Sequence, residues 1–352
     1  MCDIIINKKS ALRSANHTAR GIDLYGRSHP IMSIIAHITA EVKVKSDNLT
    51  PKSDKWSQHK AESVTIARKM RRAGMDKRSE DVMACGNIIK YTLCKDCGRY
   101  QVERASLCHD RLCPTCTWRR AIKRCATLQG AFDYLLSGEL DAQFYFLTLT
   151  VRNCYPADLS DCIAAMSKGW AKLRRRKSMC KVTGWARSLE ITYNARTHTM
   201  HPHYHIILMS DVPLSTSDQN SIINDWCEMM DSTKPIAQDI KHITPLESDT
   251  EDTRRFLKAI LEAFKYTQKY SDLDDMPVAE FRQYADQIAG KRAVAYGGAI
   301  KDAISYIGLS EDDTEDEPEP ITLCYACKSA SLLHLIARWS MSDSMYQVID
   351  TY

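Results

Sequence analysis

The period of the hydrophobic positions changes several times through the middle of the chain. Residues 144–150 (FYFLTLT) are aromatic and β-branched, with Thr148 and Thr150 alternating, which predicts a strand buried on at least one face. Pro156 and Asp158 stand where a helix starts, and Leu159, Ile163, Met166, Trp170 and Leu173 then recur at spacings of 4, 3, 4 and 3, an apolar stripe suited to packing on a sheet. Residues 185–193 (WARSLEITY) and 203–209 (HYHIILM) predict two more strands, antiparallel neighbours joined by the polar stretch NARTHTMHP. A helix carrying Trp226 follows, and another is expected from about Thr253 to Lys269 with Phe256, Ile260 and Phe264 on its buried side. Antiparallel strands interleaved with amphipathic helices predict an α+β fold, with helices layered on one face of an antiparallel sheet.

Both ends of the chain read differently from this middle. The first 55 residues or so are polar, mixed in sign and without sustained periodicity, so weak order is expected there. Helix formers dominate from about Gln58 to Lys77, and Lys60, Arg68, Lys69, Arg71, Arg72 and Lys77 make this helix basic, either a phosphate contact or a solvated face. An acidic run with prolines at 311–319 (EDDTEDEPE) predicts a linker before a short tail. The expected divisions are a polar leader at 1–57, a basic helix and cysteine-rich region at 58–130, the main domain at 131–309 and a linker with tail at 310–352. A length of 352 residues agrees with more than one compact unit.

No apolar run approaches the roughly 20 residues that cross a bilayer, and the N-terminus MCDIIINKKS lacks the features of a secretory signal. A cytoplasmic location is expected, and in that reducing compartment the 14 cysteines read as thiols or metal ligands rather than disulfides. The net charge of +4 says little by itself, but its distribution is uneven. Lys168, Lys172, Arg174, Arg175, Arg176, Lys177, Lys181 and Arg187 fall in a stretch with no acidic residue from Ile163 to Leu189.

Cys94, Cys97, Cys113 and Cys116 stand as C-x2-C, fifteen residues, then C-x2-C, the spacing of a tetrahedral four-thiolate Zn²⁺ site. Such an ion would fold a segment too small and polar to bury a core of its own. Cys85, Cys108 and His109 lie close in sequence, which leaves open a different set of four or a second ion. Arg119 and Arg120, with other cations around the knuckle, suit docking on phosphates. Cys324 and Cys327 form a lone C-x2-C in the tail, more consistent with no metal than with one.

On a strand, residues two apart share a face, so His203 and His205 project together while Tyr204, Ile206 and Leu208 point into the core. On the preceding strand Glu190 lies on the face opposite Leu189 and Ile191 and can complete a site. Two nitrogens and a carboxylate with open positions suit Mg²⁺ or Mn²⁺ bound together with a phosphate. His198 and His201, in the connecting loop, are candidate DNA contacts. Glu262, Tyr266 and Tyr270 recur at i, i+4 and i+8 of the expected helix, opposite Phe264, with Lys265 and Lys269 nearby to hold an anionic backbone. A tyrosine is almost entirely protonated at neutral pH, so its attack on phosphate needs a metal, a base or cations close by.

Taken in order, RLCPTCTWRR (111–120), FLTLT (146–150), SLEITYN (188–194), HPHYHIIL (201–208) and EAFKYTQK (262–269) resemble the plasmid rolling-circle replication initiator (Rep) proteins of the HUH endonuclease superfamily. The likeness runs from about Cys85 to Asp272. It implies a ferredoxin-like antiparallel sheet bearing a His-hydrophobic-His metal site, with His203, His205 and Glu190 as ligands, Tyr266 as nucleophile and Glu262 as the carboxylate that activates water to end a round. It also implies nicking of one strand at the plasmid origin, a covalent 5′-phosphotyrosine, and a free 3′ hydroxyl for a host polymerase, with a host helicase as a further partner. Tyr270, one turn beyond Tyr266, departs from a single-tyrosine pattern and resembles two-tyrosine transposases. The reading from another class is a zinc-dependent DNA-binding regulator without chemistry.

Overall fold

The computed structural model describes residues 55–136, 142–231, 237–243, 264, 269–308 and 321–351. Glu262, Lys265, Tyr266, the acidic run 311–319 and the leader up to residue 54 lie outside the described residues. In chain order the elements are α1 (Lys55–Arg72), α2 (Asp76–Ala84), β1 (Ile88–Cys94), β2 (Tyr100–Ala105), α3 (Pro114–Leu136), β3 (Gln143–Thr150), α4 (Leu159–Leu173), β4 (Val182–Asn194), β5 (Thr199–Ser210), α5 (Thr216–Met229), β6 (Asp239–Ile243), α6 (Tyr270–Asp275), α7 (Val278–Gln287), β7 (Val294–Gly298), α8 (Ala299–Tyr306), β8 (Leu332–Ser340) and β9 (Met345–Thr351). Among them no helix is long and apolar enough to cross a membrane.

The fold is α+β, as the hydrophobic pattern implies, and the strands among the described residues form two antiparallel sheets. The larger has the order β6-β3-β5-β4-β7 and the smaller the order β2-β1-β8-β9. On one face of the larger sheet, Tyr145, Leu147, Leu149, Leu189, Ile191, Tyr204, Ile206 and Leu208 pack against the stripe of α4 and against Ile222 and Trp226 of α5. The other face is covered as well, because Phe144, Phe146, Ala186, Ile207 and Met209 pack against Leu128 and Phe132 of α3, Ile300 and Ala303 of α8, and Phe264. Helices therefore cover both faces, where the sequence predicted one. The second layer is built on Phe and Met positions that alternate with those of the first, and periodicity alone does not say what covers each face.

Two local differences from expectation bear on the site. The β4–β5 ladder continues to Asn194↔Thr199, so the connection is a short turn, and His201 sits on the strand opposite Thr192 rather than in a loop. Buried Met200 and Tyr204 carry the alternation through it. Of the helix expected over 253–269, Phe264 is helical and fully buried, but Lys269 is extended with φ −85° and ψ 141°, and Tyr270 begins a new helix. The i, i+4 line from Tyr266 therefore does not run on to Tyr270. Leu273 and Met276 fix the new helix by entering the core, and Lys69 donates to the carbonyls of Leu273 (2.7 Å) and Asp274 (2.6 Å) at its C-terminal end.

The strands β8 and β9 do not form a separate tail. Ile88 through Cys94 pair residue by residue with Arg338 through Leu332, which builds the smaller sheet from both ends of the described chain. Its core is a single cluster in which Trp56, Ile89, Tyr91, Trp118, Leu335, Ala337, Trp339 and Tyr346 meet.

Candidate functional site

The face of the larger sheet that carries Phe144, Phe146, Ile207 and Met209 turns polar toward the other end of the same strands. There the register sets Glu190 opposite His203, Ser188 opposite His205, Thr148 opposite His205 and Thr150 opposite His203. Both imidazoles turn Nε2 toward one carboxylate oxygen, with Glu190 Oε2 at 3.0 Å from His205 and 3.4 Å from His203. Their Nδ1 atoms are engaged on the other side. Nδ1 of His203 donates to the His201 carbonyl at 3.2 Å, and Nδ1 of His205 lies 3.3 Å from Thr148 Oγ1. Phe146 stacks on His205 with ring centroids 5.4 Å apart.

This arrangement suits a cation. A carbonyl only accepts, so His203 carries its proton on Nδ1 and leaves a lone pair on Nε2 facing a carboxylate oxygen. Two acceptors in contact need a proton or a metal ion between them. Glu190 and His203 are both buried. Burial by itself would push the Glu190 carboxyl up, but the adjoining His203 and His205 imidazoles, which donate from Nε2 and carry charge when protonated, outweigh it and hold the group well below the usual carboxylate range. The ligand atoms of Glu190, His203 and His205 lie within 4.8 Å of one another, a group able to hold a metal ion. With ring orientation fixed by partners on the far nitrogens, the site is set before any ion arrives. The exposed Lys269 reaches Glu190 Oε1 at 3.7 Å.

The cysteines assemble differently from their spacing. Cys94 and Cys97 do not meet Cys113 and Cys116. One group is Cys85, Cys108, Cys113 and Cys116, and the other is Cys94, Cys97, Cys324 and Cys327, each with all four sulfurs within 4.8 Å. The hairpin β1–β2 places the Cys94 loop at the far end of the smaller sheet, while Cys85, Cys108 and the start of α3 converge at the near end. A C-x2-C motif fixes which two thiols act together but not their partners. His109 belongs to neither group. In the first group Cys116 Sγ lies 3.5 Å from Cys85 Sγ and 3.7 Å from Cys108 Sγ, and Ser63 Oγ lies 3.5 Å from Cys113 Sγ. Lys60, fully buried, donates to the carbonyls of Met83 (2.6 Å) and Cys85 (2.8 Å), which places an ammonium beside the thiols.

The expected DNA-contacting cations divide. Arg119 lies over Trp56 at 5.2 Å and Trp118 at 5.9 Å, and Arg120 donates to the carbonyls of His109 and Asp110, so both are engaged within the fold. Arg174, Arg175 and Arg176 are exposed at the end of α4; Arg174 covers Trp185 at 5.0 Å, and Arg176 pairs loosely with Glu228 at 3.4 Å. His198, at the β4–β5 turn, bonds Tyr193 and Glu280, and His201 bonds Asn153. Tyr270 packs against the main core cluster and donates to Asp274 at 3.2 Å. Sequence reasoning missed the roles of Lys60 and Lys69 as internal caps, because nine residues is two and a half helical turns and sets the two on opposite sides of α1, with no shared stripe to mark them.

The comparisons with known proteins agree with this geometry. Residues 99–347 match a family described as "Replication protein". Curated relatives named "Protein rep" include one from Bacillus amyloliquefaciens, 30% identical over 68% of this chain and 76% of its own length. Others are from Streptococcus pneumoniae, 28% identical over 76% of this chain and 84% of its own, and from Lactiplantibacillus plantarum, 27% identical over 74% and 84%. No solved structure matches the chain. The matched stretch runs from β2 into β9 and takes in the whole Glu190, His203 and His205 cluster, so the chain belongs to the replication protein family, as its motifs imply.

Proposed function

We propose that the protein initiates rolling-circle replication of a plasmid by cutting and rejoining one DNA strand at the origin, with Tyr266 as nucleophile. The observation that carries this reading is the convergence of His203, His205 and Glu190 on one point, with far-side partners that leave both Nε2 atoms turned toward the Glu190 carboxylate. Mg²⁺ or Mn²⁺ held by these three residues would polarise the scissile phosphate. Phe264 is buried on the histidine face of the sheet, and Lys269 contacts Glu190. These two residues flank Tyr266 in sequence and support its assignment, while the hydroxyl of Tyr270 is engaged by Asp274, which argues against a two-tyrosine transposase.

In this reading the Tyr266 phenolic oxygen forms a bond to phosphorus, the bond from phosphorus to the 3′ oxygen breaks, and the 3′ oxygen leaves with a proton as a hydroxyl. The phosphotyrosine keeps the phosphodiester's energy, so rejoining runs without ATP. Lys269 and Lys265 hold the anionic backbone, Glu262 activates water at the end of a round, and Arg174, Arg175 and Arg176 supply an exposed cationic strip for the duplex origin. A structural Zn²⁺ on Cys85, Cys108, Cys113 and Cys116 braces α1 and α3. The protein would work in the cytoplasm with a host helicase and polymerase. Incubation with supercoiled plasmid carrying the origin and Mn²⁺ should give nicked circles with protein attached. Tyr266→Phe should abolish the adduct and Tyr270→Phe should keep it; an adduct that survives Tyr266→Phe refutes the assignment, and origin binding without any nick favours a non-catalytic regulator.

A further inference from the structure

We propose that Cys94, Cys97, Cys324 and Cys327 hold a second structural zinc ion, one that ties the β1–β2 hairpin to the segment entering β8 and so closes a ribbon whose halves lie more than 200 residues apart in sequence. Neither C-x2-C pair has the other as a sequence neighbour, and the pairing exists only in the fold.

Three observations carry the site. The sulfurs lie at bonding separation for a common ion and not for disulfides. Cys94 Sγ is 3.4 Å from Cys327 Sγ and Cys97 Sγ is 3.6 Å from Cys324 Sγ, and all four thiols are free. A tetrahedron with zinc–sulfur bonds of about 2.3 Å has edges of about 3.8 Å.

The two loops are also built alike. In the first, the Gly98 N–H donates to the Cys94 carbonyl and the Cys94 N–H to the Arg99 carbonyl, both at 2.9 Å; in the second, Lys328 N–H donates to the Cys324 carbonyl at 2.9 Å and Cys324 N–H to the Ser329 carbonyl at 2.8 Å. The residue four after the first cysteine is left-handed in both, Gly98 with φ 67° and Lys328 with φ 60°. A lysine in that region is strained, so the second loop adopts the shape without the glycine that eases it in the first. Backbone N–H groups of Arg99 and Ser329 point at the sulfurs of Cys97 and Cys327, again at equivalent positions. Both segments read T-L-C-x2-C, at 92–97 and at 322–327, and they share a turn that aims two thiols outward at one point.

The loops have no apolar centre to account for this. Cys94 and Cys324 are buried at 1% and 3% exposure, yet none of residues 95–99 or 325–331 is buried. Polar contacts link the loops, Lys95 N–H to the Ser331 carbonyl at 2.9 Å and Ser329 to the Asp96 carboxylate at 2.5 Å. They are exposed and of the kind that contributes little alone. A metal ion supplies what the missing core does not.

The test is the zinc content of the full-length protein, purified reduced and with zinc present. A double variant Cys324→Ser/Cys327→Ser should hold one zinc per chain fewer than the parent, and Cys85→Ser/Cys108→Ser should also hold one fewer while keeping the ribbon ion. Cys327→His, which retains a ligand, should keep the parent count. If the double variant is insoluble, cadmium NMR of the parent counts the sites directly, with two resonances expected in the tetrathiolate range. Equal zinc in parent and double variant, a single cadmium resonance, iron in the site, or a Cys94–Cys327 disulfide in the reduced protein would overturn the proposal. None of these readouts depends on nicking, so a failure here and a failure of the endonuclease reading are separate results.

Discussion

The two sheets of this protein solve the same problem by different means. The larger sheet is sandwiched between helices, with one cluster built on Leu147, Ile206 and Trp226 and another on Phe132, Ile207 and Phe264. Its strands β3, β4 and β5 are close in sequence. The smaller sheet has one apolar cluster, takes its strands from the two ends of the described chain, and has a group of four cysteines at either end. A sheet that buries both faces supports itself, so it can carry a polar site at one end of its strands. A sheet that buries one face and closes a long loop needs cross-links.

The difference can be broken most directly by removing metal. Because zinc binding in small sites contributes on the order of 10 kcal/mol to folding, a strong chelator should release backbone amides of β1, β2, β8 and β9 to hydrogen exchange while β3, β4 and β5 stay protected. Loss of protection in both sheets together would mean that they do not fold separately. Next in size, Ile206→Ala in the core of the larger sheet should cost about 2–5 kcal/mol in denaturant titration without changing zinc content. A smaller and more local effect is expected from Thr148→Val. Without the hydroxyl on His205 Nδ1, Mn²⁺ affinity measured by calorimetry should fall about tenfold or somewhat more, with thermal stability little changed.

The smallest concerns Asp218, which closes the capping box of α5 with Ser215 and pairs with Lys181 at 2.6 Å. The hydrogen bond from Lys181 and those from Ser215 hold its carboxyl down to about 2. A lowered folded-state value means that its contribution is present above the ordinary aspartate range near pH 4 and fades as pH falls toward 2. Stability curves of the parent and Asp218→Asn should therefore converge over that interval and stay apart above it.

What the sequence showed and what it hid follow the same division. The strand at 144–150, the α4 stripe and the His203, His205, Glu190 face were legible because each depends on local period, and β4 and β5 are joined by a short turn. The pairing of β1 with β8 was not, since nothing in IIKYTLC points to LLHLIARWS more than 200 residues away. The cysteine partners were misread for that reason, as the spacing to Cys113 looked adequate while the true partners of Cys94 and Cys97 lay across the fold. Lys60 and Lys69 read as phosphate-contacting or solvated cations because composition does not reveal which carbonyls a buried ammonium will meet. The extended Lys269 was hidden by a helical pattern that runs past it on both sides.

The ladder between β1 and β8 also sets an order of events during synthesis. When Ile88 leaves the ribosome its partner Arg338 has yet to be translated, whereas β3, β4 and β5 are complete within a much shorter stretch. The central sheet can be in place while the hairpin ahead of it still waits for a neighbour, and a nascent chain cut short before β8 would leave that edge open to strands of other molecules.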